Sequence, residues 1–417
     1  MRHRHFLPLV LMLVAPAAAS LGLPAPLPRL PVDLATPVQQ TLDQAGGELR
    51  RVRERALLRE HRQWLEADPR GAPAVRSEVV AIAPDPSALA RARAAGFRPV
   101  RETSLAPLDL RVVVLRAPEG MPVRAALRRL ARLDPDGLYD YNHLYLGSGR
   151  SGATSTATTA TALPPAPRRV GLVDSGVDAA HPTLAGVELR PWGCGGRSQP
   201  DGHGTAVASL LAGDASGRAG GGELFTADIY CGQPTGGAVT SLAEALAWLA
   251  QERVAVINLS LVGPPNRLLE QLVQSMQRRG HVLVAAVGND GPAASPLFPA
   301  GYPGVIGVTA VDARDRLLPE AVRGDAVDFA APGSDLWAAR PGHGHTKVRG
   351  TSFAAPLVAR LAAGEIDAPA PGATERVVRR LAEQARDLGP RGRDRRFGHG
   401  LLSPEARAAW AKPLNED

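Results

Sequence analysis

An acid, an imidazole and a hydroxyl stand at three places where the local sequence would present a reactive group. Ser352 lies in Gly350-Thr351-Ser352-Phe353-Ala354-Ala355-Pro356, a small-residue turn ahead of the apolar run from Leu357 to Ala363. A serine there sits at a helix N-terminus, where free N–H groups and the helix dipole favour developing negative charge. Asp174 closes the apolar run Val170-Gly171-Leu172-Val173, which reads as a buried strand, and is followed by Ser175-Gly176. His203, flanked by Gly202 and Gly204, opens the helix-like pattern Thr205 to Ser209. The three side chains are the parts of a nucleophilic triad.

Their order along the chain, acid then histidine then serine, differs from the chymotrypsin-like and α/β-hydrolase orders and agrees with the subtilisin order. Two further stretches match the same family: Ala285-Ala286-Val287-Gly288-Asn289-Asp290-Gly291, and Phe298-Pro299-Ala300-Gly301-Tyr302-Pro303-Gly304-Val305. The chain resembles the subtilisin-like (subtilase, S8) serine peptidases from about Arg168 to Leu402.

That resemblance implies roles. Ser352 would attack a scissile carbonyl, His203 would accept and return its proton, and Asp174 would hold the imidazole's tautomer. Asn289 matches the oxyanion residue, donating beside the backbone N–H of Ser352. Substrate would add as a strand along Ser260-Leu261-Val262-Gly263, with Val287 and Gly288 bordering the pocket for the residue before the cut. Valine at 262 and 287, where relatives carry smaller residues, should narrow that pocket toward small or medium apolar side chains. Ala206 replaces a second histidine of the family pattern, and Phe353 replaces methionine after the serine. Gly213 to Glu223 is short and glycine-rich, without clustered hard-cation ligands, so no cofactor is expected and no calcium site is assigned. His181 with Asp178 matches a structural turn rather than a metal site.

The elements that must position these groups follow the same alternation. Short β-like runs at Val170–Val173, Val187–Leu189, Leu224–Tyr230, Val254–Leu261, Val282–Val287 and Val305–Val311 alternate with helical patterns such as Leu242–Ala250 and Leu268–Arg279. This predicts an α/β unit, a subtilisin-like parallel sheet with helices on both faces, over 168–410. Cys194 and Cys231 follow the second and third of these strands. The resemblance makes those strands neighbours, so a disulfide is expected, with two free buried thiols as the alternative.

Upstream, residues 76–146 run strand, helix, strand, helix, strand, which predicts a small α+β ferredoxin-like domain. Its place implies the family's propeptide, an intramolecular chaperone and inhibitor of the protease. Residues 147–167, mostly Gly, Ser, Thr, Ala and Pro, read as a flexible, cleavable connection, with maturation placed between Asn142 and Arg168. Residues 20–75 read as a linker followed by an amphipathic helix between Thr41 and Glu66 whose function is not legible. Met1-Arg2-His3-Arg4-His5, the apolar run Phe6 to Val14 and Ala15 to Ser20 have the pattern of a signal peptide over 1–19. That run is too short to span a bilayer.

With 417 residues, 44% hydrophobic and a net charge of +7, the chain has material for a sizeable core. Its arginines are mixed with acids, which argues against a nucleic-acid partner. The expected protein is therefore a secreted or periplasmic, monomeric serine endopeptidase made as a zymogen and acting on proteins or peptides. An acyl-transferring transpeptidase or cyclase on the same site is one alternative, and an inactive binding protein of the same fold is the other.

Overall fold

The computed structural model describes residues 49–152, 168–213, 221–233, 235–403 and 405–406. The leader expected over 1–19 and the linker from residue 20 lie outside them. The chain opens with α1 (Leu49–Glu60), then β1 (Leu65–Ala67), β2 (Pro73–Ile82), α2 (Pro86–Ala94), β3 (Arg98–Leu105), β4 (Leu110–Arg116), α3 (Val123–Leu133) and β5 (Leu138–Gly147). Strands β2 to β5 pair antiparallel in the order β5-β2-β4-β3, with β1 added to the start of β2. This is the ferredoxin-like arrangement, and its sheet begins earlier in the chain than residue 76. The apolar alternation breaks between Ala74 and Val79, where the register shifts and Ser77 takes φ 60°.

The small sheet is buried on both faces, which is why Val79-Val80-Ala81-Ile82 and Val112 to Leu115 are continuous apolar runs. Val79, Ala81, Val113 and Leu115 pack under α2 and α3 against Leu89, Phe97 and Leu130. Val80, Ile82 and Val112 turn the other way, into the second unit.

That unit comprises β6 (Arg150–Gly152), β7 (Arg169–Asp174), β8 (Glu188–Trp192), α4 (Gly202–Ala212), β9 (Glu223–Asp228), β10 (Gly237–Ala238), α5 (Val239–Gln251), β11 (Val256–Leu259), β12 (Leu261–Val262), α6 (Arg267–Arg278), β13 (Val282–Ala286), β14 (Ile306–Val311), β15 (Phe329–Pro332), β16 (Ser334–Ala339), β17 (His345–Arg349), α7 (Thr351–Glu365) and α8 (Ala373–Gln384). Its seven-stranded sheet, β15-β14-β13-β11-β7-β9-β8, is parallel throughout. Residues of α4 and α7 fill one face and those of α5 and α6 the other. The α/β class with helices on both faces is thus as the sequence predicts.

The two units meet where the helices begin. Asp140 of β5 accepts from the N–H of Arg267, the first residue of α6, at 2.7 Å. Asn142 accepts from Thr240 Oγ1 near the start of α5 at 3.3 Å. A carboxylate at a helix N-terminus satisfies an orphan donor and opposes the positive end of the helix dipole. No helix among the described residues is long and apolar enough to cross a membrane.

Candidate active site

Three carboxyl-side strand ends and two helix starts converge on the predicted triad. Asp174 is the last residue of β7. His203 is the second residue of α4, whose N-cap Asp201 accepts from the His203 N–H at 2.8 Å. Ser352 is the second residue of α7, after Gly350 at φ 135°. The imidazole Nδ1 lies 2.8 Å from Asp174 Oδ1. Ser175 Oγ donates to Asp201 Oδ1 at 2.8 Å and accepts from Gly204 N–H at 2.9 Å, tying the acid's strand to the histidine's helix. Burial pulls the His203 imidazole down, but the charge and hydrogen bond of Asp174 outweigh it, and the ring is held above its ordinary value.

Pro356 sits inside α7. It has no N–H to give to the carbonyl four residues back, that of Ser352. Ser260 Oγ supplies the missing donor at 2.8 Å, and Asn258 Nδ2 fixes Ser260 Oγ at 2.8 Å. Ser260 thus holds the backbone of the serine besides belonging to the strand edge assigned to it by sequence.

The chain's own residues 144–149 fill the cleft. The end of β5 lies between two short strands, with Tyr145 opposite Gly237 and Leu144 opposite Ala238 in β10, and Gly147 opposite Leu261 and Leu146 opposite Val262 in β12. Tyr145 is fully buried; its ring covers Gly263, and its hydroxyl donates to the Pro264 carbonyl at 2.8 Å. Ser148 O accepts from Ser352 N–H at 3.3 Å. Ser352 Oγ accepts from Ser148 N–H at 3.1 Å, lies 2.8 Å from Ser148 Oγ, and donates to Ser260 O at 3.1 Å.

Two buried polar atoms face this point without a partner among the described residues: His203 Nε2 and Asn289 Nδ2. Asn289 uses its Oδ1 to accept from Thr351 N–H at 3.0 Å, which leaves the amide donor free. A Cβ on Gly350 would meet Gly149 Cα at 2.9 Å, Asn289 Nδ2 at 3.1 Å and Ser148 O at 3.4 Å. Only glycine lets these three approach each other. A Cβ on Gly147 would touch the His203 ring at 3.2 Å.

Beyond Ser148 the chain continues as β6, pairing antiparallel with β17, Arg150 opposite Arg349. The connection expected to be flexible from residue 147 is therefore ordered through 152, held by backbone bonds that its side-chain composition does not disclose. Residues 153–167 lie outside the described residues. Phe353, noted in the sequence only as a departure, lies 5.4 Å from the His203 ring between centroids, and its edge would meet a Cβ on Gly149.

Val287 and Gly288 follow β13, but Gly288 N–H is taken by Thr351 Oγ1 at 3.1 Å, and Val287 is buried with Leu297 and Val322. Cys194 and Cys231 form a disulfide with Cα atoms 5.2 Å apart. It joins the turns after β8 and β9, beside Asp228, which is the register partner of Asp174. Among the described residues the only trio of possible metal ligands is Cys194, Asp228 and Cys231, and its two sulfurs are bonded to each other.

The model of the subtilase family matches residues 168–400, more than half of the chain. Subtilisin BL of Lederbergia lenta is 33% identical over 247 residues, which cover 57% of this chain and 89% of that protein. Minor extracellular protease Epr of Bacillus subtilis (strain 168) is 29% identical over 247 residues, covering 58% of this chain and 38% of Epr. The chain therefore spans little more than a third of that longer relative. Fervidolysin from Fervidobacterium pennivorans, a keratinolytic enzyme related to subtilisin, shares the fold with a TM-score of 0.64 at 21% identity, over 82% of this chain and 62% of that one.

Proposed function

The chain belongs to the subtilase family, and from that premise we propose that it is an exported serine endopeptidase made as a precursor that cuts its own bond between Ser148 and Gly149. One observation carries the choice of bond: the Ser148 carbonyl oxygen rests on the Ser352 N–H, beside an Asn289 amide that has a buried donor to spare.

In this reading Ser352 Oγ turns from Ser260 O toward His203 Nε2 and bonds to the Ser148 carbonyl carbon, while its proton passes to His203. The carbonyl oxygen takes up negative charge facing Ser352 N–H and Asn289 Nδ2. Collapse expels the Gly149 nitrogen, which takes the proton from His203. Water then attacks the acyl-enzyme with His203 as base and frees the Ser148 carboxylate. Asp174 keeps the imidazole oriented and balances its charge throughout.

Other substrates would bind as residues 145–148 do, as a strand between β10 and β12 with an aromatic ring over Gly263. A small residue before the cut agrees with the narrowing by Val262 and Val287. Residues 1–148 would then comprise a leader over 1–19 and a prosegment that inhibits until displaced. Export rests on the basic, apolar and small-residue sequence of 1–19, and agrees with an extracellular protease among the relatives.

The test is the mass and N-terminal sequence of the exported wild-type protein beside Ser352→Ala. A new N-terminus at Gly149 in the wild type alone is the expected result. An uncut wild-type protein that also fails to take up a fluorophosphonate label would overturn the reading.

A further inference from the structure

We propose that the peptidase unit carries a second docking surface beside its strand-accepting cleft, a surface for an arginine-bearing amphipathic helix, and that α1 is its occupant. This rests on the reading above only for what the docking regulates, since the contacts themselves do not involve catalysis.

Strand geometry poses the question. Successive side chains point to opposite faces, so with Tyr145 turned into its pocket, Leu144 and Leu146 point away from it. A tail bound only in a cleft would leave those leucines in water. They are instead 1% and 2% exposed, because Leu57 of α1 packs on them together with Leu65, Val75 and Ala238. Ala238 belongs to β10, so the helix covers both the tail and the edge strand that grips it.

The other end of α1 reaches a different part of the peptidase unit, the turn after β13. Arg50 Nε donates to Asp290 Oδ2 at 2.6 Å, while its Nη1 bonds Glu54 one turn on in the same helix. The Asp290 and Glu54 side chains are each 8% exposed. Asp290 directly follows Asn289, so this arginine is anchored beside the oxyanion position. Arg53, between them, lies close enough to the imidazole for its charge to oppose protonation of His203. Arg50, Glu54 and Leu57, at i, i+4 and i+7, form one helical stripe. Its two ends rest on peptidase residues of separate elements, Asp290 after β13 and Ala238 in β10.

Cutting the 148–149 bond would leave these contacts intact. The prosegment would stay bound through two surfaces tied by one short chain, and the second would act at the high effective concentration set by that tether. An occupant of the helix surface alone would also block the approach to the cleft.

The experiment uses the full chain with Ser352→Ala and a recognition sequence for a specific protease placed within 153–167. After that protease cuts, the rate at which the prosegment leaves the immobilised peptidase unit is measured. Arg50→Gln and Asp290→Asn should each speed release at least tenfold, and the double variant should be no faster than either single one, as expected for one shared contact. Arg51→Gln, an exposed neighbour on the same helix, should change release less than twofold. Unchanged melting of the uncut variants checks that they fold. Release of Arg50→Gln at the wild-type rate, or independent multiplication of the two effects, would overturn the proposal. Because Ser352 is absent, the result stands apart from the peptidase reading, whose own failure would appear as an uncut, unlabelled wild-type chain.

Discussion

Ser260 Oγ donates to the main-chain carbonyl of Ser352 at 2.8 Å, replacing the helical hydrogen bond that Pro356 cannot make. The backbone of the proposed nucleophile is thus fastened to the strand edge that pairs with β5. Ser260→Ala would orphan a buried carbonyl, a loss of about 1–3 kcal/mol. We expect a lower melting temperature, and kcat/KM for a peptide substrate reduced roughly tenfold, corresponding to about 1.4 kcal/mol. Ser260→Thr, which keeps the hydroxyl, should recover most of both; equal loss in the two variants would contradict this account.

In the proposed reading the residue before the cut, Ser148, is small, and Val262 and Val287 would narrow the pocket that takes it. Ser148→Phe should slow self-cutting by at least tenfold, while Ser148→Ala should cut at close to the wild-type rate, both followed by gel and mass. Rapid cutting of Ser148→Phe would show that Val262 and Val287 do not limit the pocket.

The proposed base must be unprotonated to accept the Ser352 proton. Since Asp174 holds His203 above its ordinary value of 6.5, activity should rise with pH through a midpoint higher than 6.5. Asp174→Asn removes that charge and the preferred tautomer, and should lower kcat by about 10⁴-fold. An unshifted midpoint in wild-type enzyme would mean that burial cancels the effect of Asp174 at the ring, and one below 6.5 that burial dominates.

Glu54 carries a pH dependence of opposite character. Burial, with the nearby charges of Asp290 and Asp68, pushes its carboxyl up to about 7 against the pull of Arg50. A raised carboxyl value means that the docked helix favours the protonated form. Docking should therefore be firmest below the ordinary value of 4.5 and weaken as pH rises through about 7. In the linker-cut Ser352→Ala chain, prosegment release should quicken across that window, and Glu54→Gln should flatten the profile. Identical profiles for the two would remove Glu54 from the explanation.

Much of this was legible in the sequence for a physical reason. Asp174, His203 and Ser352 each stand where a strand ends or a helix begins, and such points are marked by glycine and small residues. Apart from the exposed edge strand β8, the parallel strands are buried on both faces and so read as apolar runs. β3 was missed because Arg98 to Ser104 has no such run; it lies at the sheet edge, alternating exposed and half-buried residues. The order of 147–152 was missed because backbone bonds to β12 and β17 create it, and glycine and serine give no sign of them. The charge-rich helix pattern before Glu66 was visible, but its partner, Asp290, lies 240 positions from Arg50.

The pairing of β6 with β17 has one more consequence. If the chain severs its own 148–149 bond as proposed, the cut would not by itself empty the site, because residues 150–152 stay paired along β17. The new N-terminus would then be the first competitor for that site, and it could not be diluted away because it would belong to the same molecule. Early turnover should depend on how readily residues 149–152 peel from His345–Arg349, a step set by chain length and sequence and not by the concentration of anything in solution.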